Sequence, residues 1–219
     1  MDNPDPTLRS QIAQDLLRIG AVSLTPLHPF TWASGRISPV YCDNRLTLGY
    51  PDVRMRIAKG FESLIHQNAL KCSLVVGTAT AGIPHAAWLA DRMNLPMAYV
   101  RSAPKGHGKG NQIEGFAPAG ADAVVIEDLV STGMSSTAVL KPLEIGGINV
   151  HAVLAIFTYG LEIAQKAFLE AKTPLFTLSD FPTLLTEAKN SGLLSKAEVA
   201  SLESWYQDPE GWSKERGGQ

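Results

Sequence analysis

The chain has 219 residues, 45% hydrophobic and 18% charged, with a formal net charge of −2. That is the profile of one soluble globular domain long enough to bury a sizeable core. Such a balance gives no global attraction to nucleic acid or to an anionic membrane, so any basic site for a phosphorylated ligand has to be local. No apolar run is long enough to span a bilayer, and Met1 to Thr7 lacks the positive start of a signal peptide. Cys42 and Cys72 form no CxxC pattern and read as free thiols, which predicts a cytoplasmic protein without a disulfide or cysteine metal site.

Apolar residues at Leu8, Ile12, Leu16 and Ile19 predict a first helix with Thr7 as its cap. Pro26, Pro29, Gly35 and Pro39 then make 24–45 an irregular or short-strand region. Pro51 stands where a first helical residue would, and Val53, Ile57, Phe61 and Ile65 space a second helix behind it. From there the pattern becomes strand, loop, helix. Ser73 to Val76 is a strand, Gly77 to Gly82 a small-residue loop, and Ile83 to Met93 a helix. Met97 to Arg101 and Ala123 to Ile126 are strands. Met134 to Ile145 is a helix that Pro142 must kink or shorten. Val150 to Phe157 and Leu175 to Leu178 add strands around a helix from Leu161 to Ala171. Continuous apolar strands alternating with helices predict a largely parallel sheet covered on both faces. Ligands of such sheets bind beyond the carboxyl ends of the strands.

The strongest chemical signal lies at one such end, in Val124-Val-Ile-Glu127-Asp128-Leu129-Val130-Ser131-Thr132-Gly133-Met134-Ser135-Ser136. An apolar strand delivers two adjacent carboxylates, and a hydroxyl-rich loop then opens a helix. Amides at a helix start bind phosphate, with hydroxyls from Ser131, Thr132 and Ser135 beside them and Gly133 allowing close approach. Two carboxylates next to a phosphate need other partners, and sugar hydroxyls and Mg²⁺ both qualify. The pattern therefore reads as a site for a phosphorylated sugar with a metal. An isolated acidic pair would be a solvated strand end; the whole thirteen-residue pattern is more than that. A second segment, Tyr99 to Gly115, alternates Lys105, His107 and Lys109 with glycines. Taken alone it is a solvated basic hairpin, but such a loop can also fold over a pyrophosphate and expel water. It contains neither GxxxxGK[ST] nor GxGxxG.

The strand-acid-hydroxyl run resembles the phosphoribosyl pyrophosphate signature of the type I phosphoribosyltransferases. The segment from Tyr99 through Gly115 is similar to the catalytic loop of their orotate branch. Phe30 to Arg45 is similar to that branch's N-terminal hood, and Gly77 to Gly82 to its pyrophosphate loop. The resemblance implies a three-layer α/β/α domain over residues 1–219 with a mostly parallel central sheet, residues 1–50 giving the first helix and hood. It implies that Glu127 and Asp128 hold the ribose hydroxyls and that Ser131 to Ser135 wrap the 5′-phosphate. Arg101, Lys105 and His107 would contact the pyrophosphate, often from the neighbouring subunit of a homodimer. Tyr41, Cys42 and Ser131 would meet orotate. Mg²⁺ is the implied cofactor. The implied reaction displaces pyrophosphate from the ribose C1 by N1 of orotate, giving orotidine 5′-monophosphate on the route to UMP. Lys105, His107 and Asp128 would serve catalysis.

Ala33, Thr80 with Ala81, and Tyr159 stand where some members carry a lysine, Tyr-Lys and an arginine. These departures lower the static positive charge and leave the orotate carboxylate without an assigned partner. Two other readings stay open: transfer to a purine or uracil, and a non-catalytic sensor of phosphoribosyl pyrophosphate. The sensor would usually carry a DNA-binding module or a basic face, and neither is evident.

Overall fold

The computed structural model describes residues 4–32, 35–102 and 112–218. Helix α1 (Pro6–Arg18) is capped by Asp5, whose carboxylate accepts from the Thr7 amide. Thr7 is thus inside the helix. The cause is Pro6, which fits the first helical position without an amide and moves the cap to the residue before it. Next come β1 (Val22–Leu24), β2 (Phe30–Thr31), β3 (Ile37–Ser38) and β4 (Val40–Cys42). Antiparallel pairing of β1 with β4 and of β2 with β3 turns the proline-rich stretch into a small hood of two ribbons. A 3-10 turn (Asn44–Gly49) leads into α2 (Pro51–Gln67).

The body continues with β5 (Leu74–Thr78), α3 (Gly82–Met93), β6 (Met97–Val100), β7 (Ile113–Gly115) and β8 (Asp122–Val130). It ends with α4 (Met134–Ala138), α5 (Leu140–Ile145), β9 (Asn149–Thr158), α6 (Glu162–Glu170), β10 (Leu175–Asp180), α7 (Phe181–Asn190), α8 (Lys196–Gln207) and α9 (Pro209–Lys214). One six-stranded sheet has the order β10-β9-β8-β5-β6-β7. All its pairings are parallel except that of the edge strand β7. Alternate residues feed opposite faces, as the two-residue period of a strand requires. Val75, Val124, Ile126 and Leu154 pack with α1, α2, α3, α7 and α8. Leu74, Val76, Val125 and Val153 pack with Leu143 of α5 and Phe168 of α6. The architecture is the three-layer α/β/α arrangement with a mostly parallel sheet that the sequence predicts.

The structure corrects several boundaries. The strand predicted to end at Ile126 runs to Val130, because β9 pairs with it as far as Val130↔Thr158 while β5 stops pairing at Gly77↔Ile126. Gly77 and Thr78, read as loop, belong to β5. Ile113 to Gly115, read as loop, form an edge strand along β6. The helix predicted over 134–145 is two short helices that meet at Val139. Pro142 lacks the amide that would bond to the carbonyl of Ala138, so the ladder breaks there.

Candidate active site

Connections from β5 and β8 leave toward opposite faces of the sheet, α3 to one core and α5 to the other. Their carboxyl ends therefore flank a crevice at a topological switch point, where ligands of open α/β sheets bind. Three segments meet there: the end of β5, the end of β8 and the start of α4.

Glu127 joins them. It is buried, and its Oε1 accepts from the Thr78 hydroxyl at 2.8 Å and from the Asp128 amide at 3.0 Å. Its Oε2 accepts from the Ser136 hydroxyl at 3.0 Å. A carboxylate offers about four acceptor positions, so one remains on Oε2. Burial, and then the neighbouring Asp128, push the Glu127 carboxyl well above the usual carboxylate range. Asp128 is half-buried. The two acids thus have different environments: Glu127 is tied into the protein, and Asp128 is the more open.

Gly82 lets β8 and α3 come together. A Cβ there would collide with the Ile126 carbonyl and the Thr78 hydroxyl. Beyond β8, Ser131 and Thr132 are half-buried, and Met134 and Ser135 are exposed. Gly133 takes a φ of 79°, and a Cβ on it would lie 3.3 Å from the Phe168 ring. This left-handed turn, cheap for glycine alone, opens α4 without a side-chain cap. The first amides of such a helix lack intrahelical partners.

The hood reaches the same crevice. Asn44 donates from Nδ2 to the Asp128 carbonyl at 2.6 Å. Thr47 donates its hydroxyl to the Asn44 carbonyl at 2.6 Å and lies 3.2 Å from His85 Nε2. With its proton committed, the Thr47 oxygen accepts from His85 Nε2–H, leaving Nδ1 as a buried acceptor without a partner among the described residues. Burial holds the His85 pKa down at about 4. This chain of contacts fixes the end of β8 from outside the sheet. Cys42 lies near Asp128: burial first, then the charges of Asp128 and Asp43, push its thiol up. Tyr41 is 43% exposed, with its ring 5.3 Å from that of Phe30.

Arg101 follows β6, and its guanidinium lies 3.7 Å from the Glu114 carboxylate. Its amide donates to the Gln112 carbonyl at 2.9 Å. Lys105, His107 and Ala33 lie outside the described residues. Tyr159 is buried among the rings of Trp32, Phe157 and Trp205 at 5.6, 5.7 and 5.9 Å. The structure thus brings Glu127, Asp128, Cys42 and the loop from Ser131 to one crevice. Thr78, Ser136, Asn44, Thr47 and His85, which the sequence does not single out, organise it. Thr78, Ser136 and Asn44 lay inside the runs Gly77 to Gly82, Val124 to Ser136 and Phe30 to Arg45, whereas Thr47 lay in none of these runs and His85 only in a predicted helix.

No family model matches the chain. It is 52% identical over 205 residues to the orotate phosphoribosyltransferase of Bacillus caldolyticus, covering 94% of this chain and 99% of the relative. It is 50% identical over 207 residues to that of Bacillus cytotoxicus, with the same coverage. The chain belongs to the orotate phosphoribosyltransferase family. The fold agrees: the crystal structure of the orotate phosphoribosyltransferase from Aeropyrum pernix matches with a TM-score of 0.71 at 30% identity, over 84% of this chain and 99% of that one. Membership gives the resemblance noted in the sequence its full-length footing.

Proposed function

We propose that the chain transfers the ribose 5-phosphate group of phosphoribosyl pyrophosphate to N1 of orotate, releasing pyrophosphate and forming orotidine 5′-monophosphate. The observation that carries this reading is the meeting of hood and acid pair, through Asn44 on the Asp128 carbonyl at 2.6 Å. It sets a base-binding element against a sugar-binding one. Asp128, the more open acid, accepts from the ribose hydroxyls, and Glu127 adds its remaining acceptor position on Oε2. The amides of Leu129 and Val130 lead into those of Ser131 to Ser135, which with the hydroxyls of Ser131, Thr132 and Ser135 surround the 5′-phosphate. Tyr41, Cys42 and Ser131 border the orotate ring. Arg101, Lys105 and His107 supply positive charge to the departing pyrophosphate, where charge develops in the transition state.

Among the described residues no three ligating side chains converge. The more open carboxylate of Asp128 suits a Mg²⁺ ion that would be held by one carboxylate together with substrate phosphates. When bound, the ion would neutralise charge on the leaving pyrophosphate. No described helix is long and apolar enough to cross a membrane, and both cysteines are free. These facts support a place in a reducing cytosol. We further assign a two-fold homodimer in which the segment from Ala103 completes the partner's site, the commonest closed assembly.

The test is direct. Orotate absorbance should fall only when phosphoribosyl pyrophosphate and a divalent cation are both present, with one pyrophosphate released per orotate consumed. Orotate loss that is independent of phosphoribosyl pyrophosphate would overturn the assignment.

A further inference from the structure

The C-terminal helices bear on the hood at two places. Ser213 of α9 is fully buried, and its hydroxyl oxygen accepts from the Ile37 amide of β3 at 2.9 Å. The Gly218 amide donates to the Ser213 carbonyl at 2.9 Å, and a Cβ on Gly218 would collide with the Ser213 hydroxyl and press on Ile37 at 3.0 Å. The tail is therefore closed tightly over β3. Trp212 beside it is buried, with the Arg216 guanidinium 3.7 Å above its ring and donating to its carbonyl at 3.1 Å.

The second contact is aromatic. Trp205 of α8 is fully buried, 5.0 Å from Phe181 and 5.9 Å from Tyr159. Tyr159 in turn lies 5.6 Å from Trp32 of the hood, and Trp32 donates from Nε1 to the Val40 carbonyl at 3.2 Å. The Tyr159 hydroxyl faces the Cys42 backbone, and burial pushes its pKa up, so it stays a neutral partner. A path of packed rings thus runs from α8 to β4, the strand that carries Tyr41 and Cys42. Aromatic pairs at these separations add specific geometry to their buried area.

We propose that α8 and α9 form a bracket that positions the hood, with Ser213 and Trp205 as positioning residues for the base and not for the phosphorylated sugar. This rests on the functional reading above, in which Tyr41 and Cys42 border orotate. The sugar and phosphate contacts would come from β8 and α4, whereas the hydrogen bond of Ser213 goes to β3 and the ring contacts of Trp205 go to Phe181 and Tyr159. Loosening it should weaken base binding alone.

Ser213→Ala leaves the Ile37 amide without its acceptor. The expected result is an orotate KM raised about tenfold, equivalent to about 1.4 kcal/mol and in the range of one lost hydrogen bond. KM for phosphoribosyl pyrophosphate and kcat should stay within about twofold. Amide hydrogen exchange in the hood peptide around Ile37 should quicken, while that of β8 stays unchanged. Equal rises in both KM values, or an unchanged orotate KM, would overturn the proposal. If Ser213→Ala shows no cooperative melting, Arg216→Ala decides. It removes the guanidinium over Trp212 and its hydrogen bond to the Trp212 carbonyl, and should give a smaller, orotate-selective rise with faster hood exchange; no selective rise overturns the idea. Wild-type protein without orotate turnover would defeat the functional reading instead. The exchange comparison needs no substrate and would then decide on the bracket by itself.

Discussion

His85 lets the coupling between the hood and the end of β8 be tested by pH. It is 1% exposed, its Nε2–H is committed to Thr47, and its Nδ1 has no partner among the described residues. A second proton would place an unpaired cationic N–H in the interior. Burial accordingly lowers the pKa from 6.5 to about 4. The unfolded chain takes up this proton as pH falls through 6.5, while the folded chain does so only near 4. Stability from this group is therefore present above pH 6.5 and is lost as pH falls toward 4. At 1.36 kcal/mol per pH unit, the loss between pH 7.5 and 4.5 is about 2.5 kcal/mol. Glu127 acts with the opposite sign, since its raised pKa gives stability that is present at low pH and lost as pH rises. The wild-type curve alone would blend the two. His85→Gln keeps an N–H for Thr47 and cannot protonate, so the difference between wild type and variant isolates the histidine. Urea unfolding at both pH values should show the wild type losing about 2.5 kcal/mol more than the variant on acidification. Parallel losses, within about 0.5 kcal/mol, would mean that His85 protonates in the folded state and that the buried arrangement is wrong.

Three further outcomes are expected. Asp128→Asn keeps the shape of a half-buried side chain and removes its charge, so turnover should fall on the order of 10²-fold or more with melting temperature nearly unchanged; activity within about twofold of wild type would reduce Asp128 to a solvated acid. Gly82→Ala drives a methyl against the Ile126 carbonyl and Thr78 hydroxyl and should cost roughly 1–3 kcal/mol, seen as a lower denaturant midpoint together with reduced turnover; a variant with wild-type midpoint and rate would show that the crevice tolerates separation of β5 and β8. Co-refolding equal amounts of Lys105→Ala and Asp128→Asn should restore about a quarter of wild-type activity, since about half of the dimers are mixed and one of their two sites is intact; demonstrated subunit exchange with activity at the mutant baseline would exclude a shared site.

Much of the fold was legible because β5, β8 and β9 are buried on both faces and write their presence as unbroken apolar runs. The run in β8 stops at Ile126, but the strand does not, because β9 supplies hydrogen bonds to Val130 that composition cannot signal. The acid pair at the end of β8 and the glycine of the loop after it were readable as a local pattern. The partners of Glu127 were not: Thr78 is 49 residues away, and only the adjacency of β5 and β8 brings it there. The hood's ties to Asp128 through Asn44, and to α9 through Ser213, depend likewise on contacts distant in sequence. The helices after β10 did leave marks that local reading can use. Asp180 caps α7 ahead of Pro182, and Ser195 with Glu198 forms a capping box on α8.

Transfer to orotate in this crevice is tested most directly by a side-by-side comparison of bases. Purified protein with phosphoribosyl pyrophosphate and Mg²⁺ should be offered orotate, uracil, adenine and hypoxanthine in turn, with nucleotide product and pyrophosphate both measured. Robust formation of orotidine 5′-monophosphate is expected, with a kcat/KM for orotate far above that for the other three bases. Robust turnover of adenine or hypoxanthine with none of orotate would contradict it.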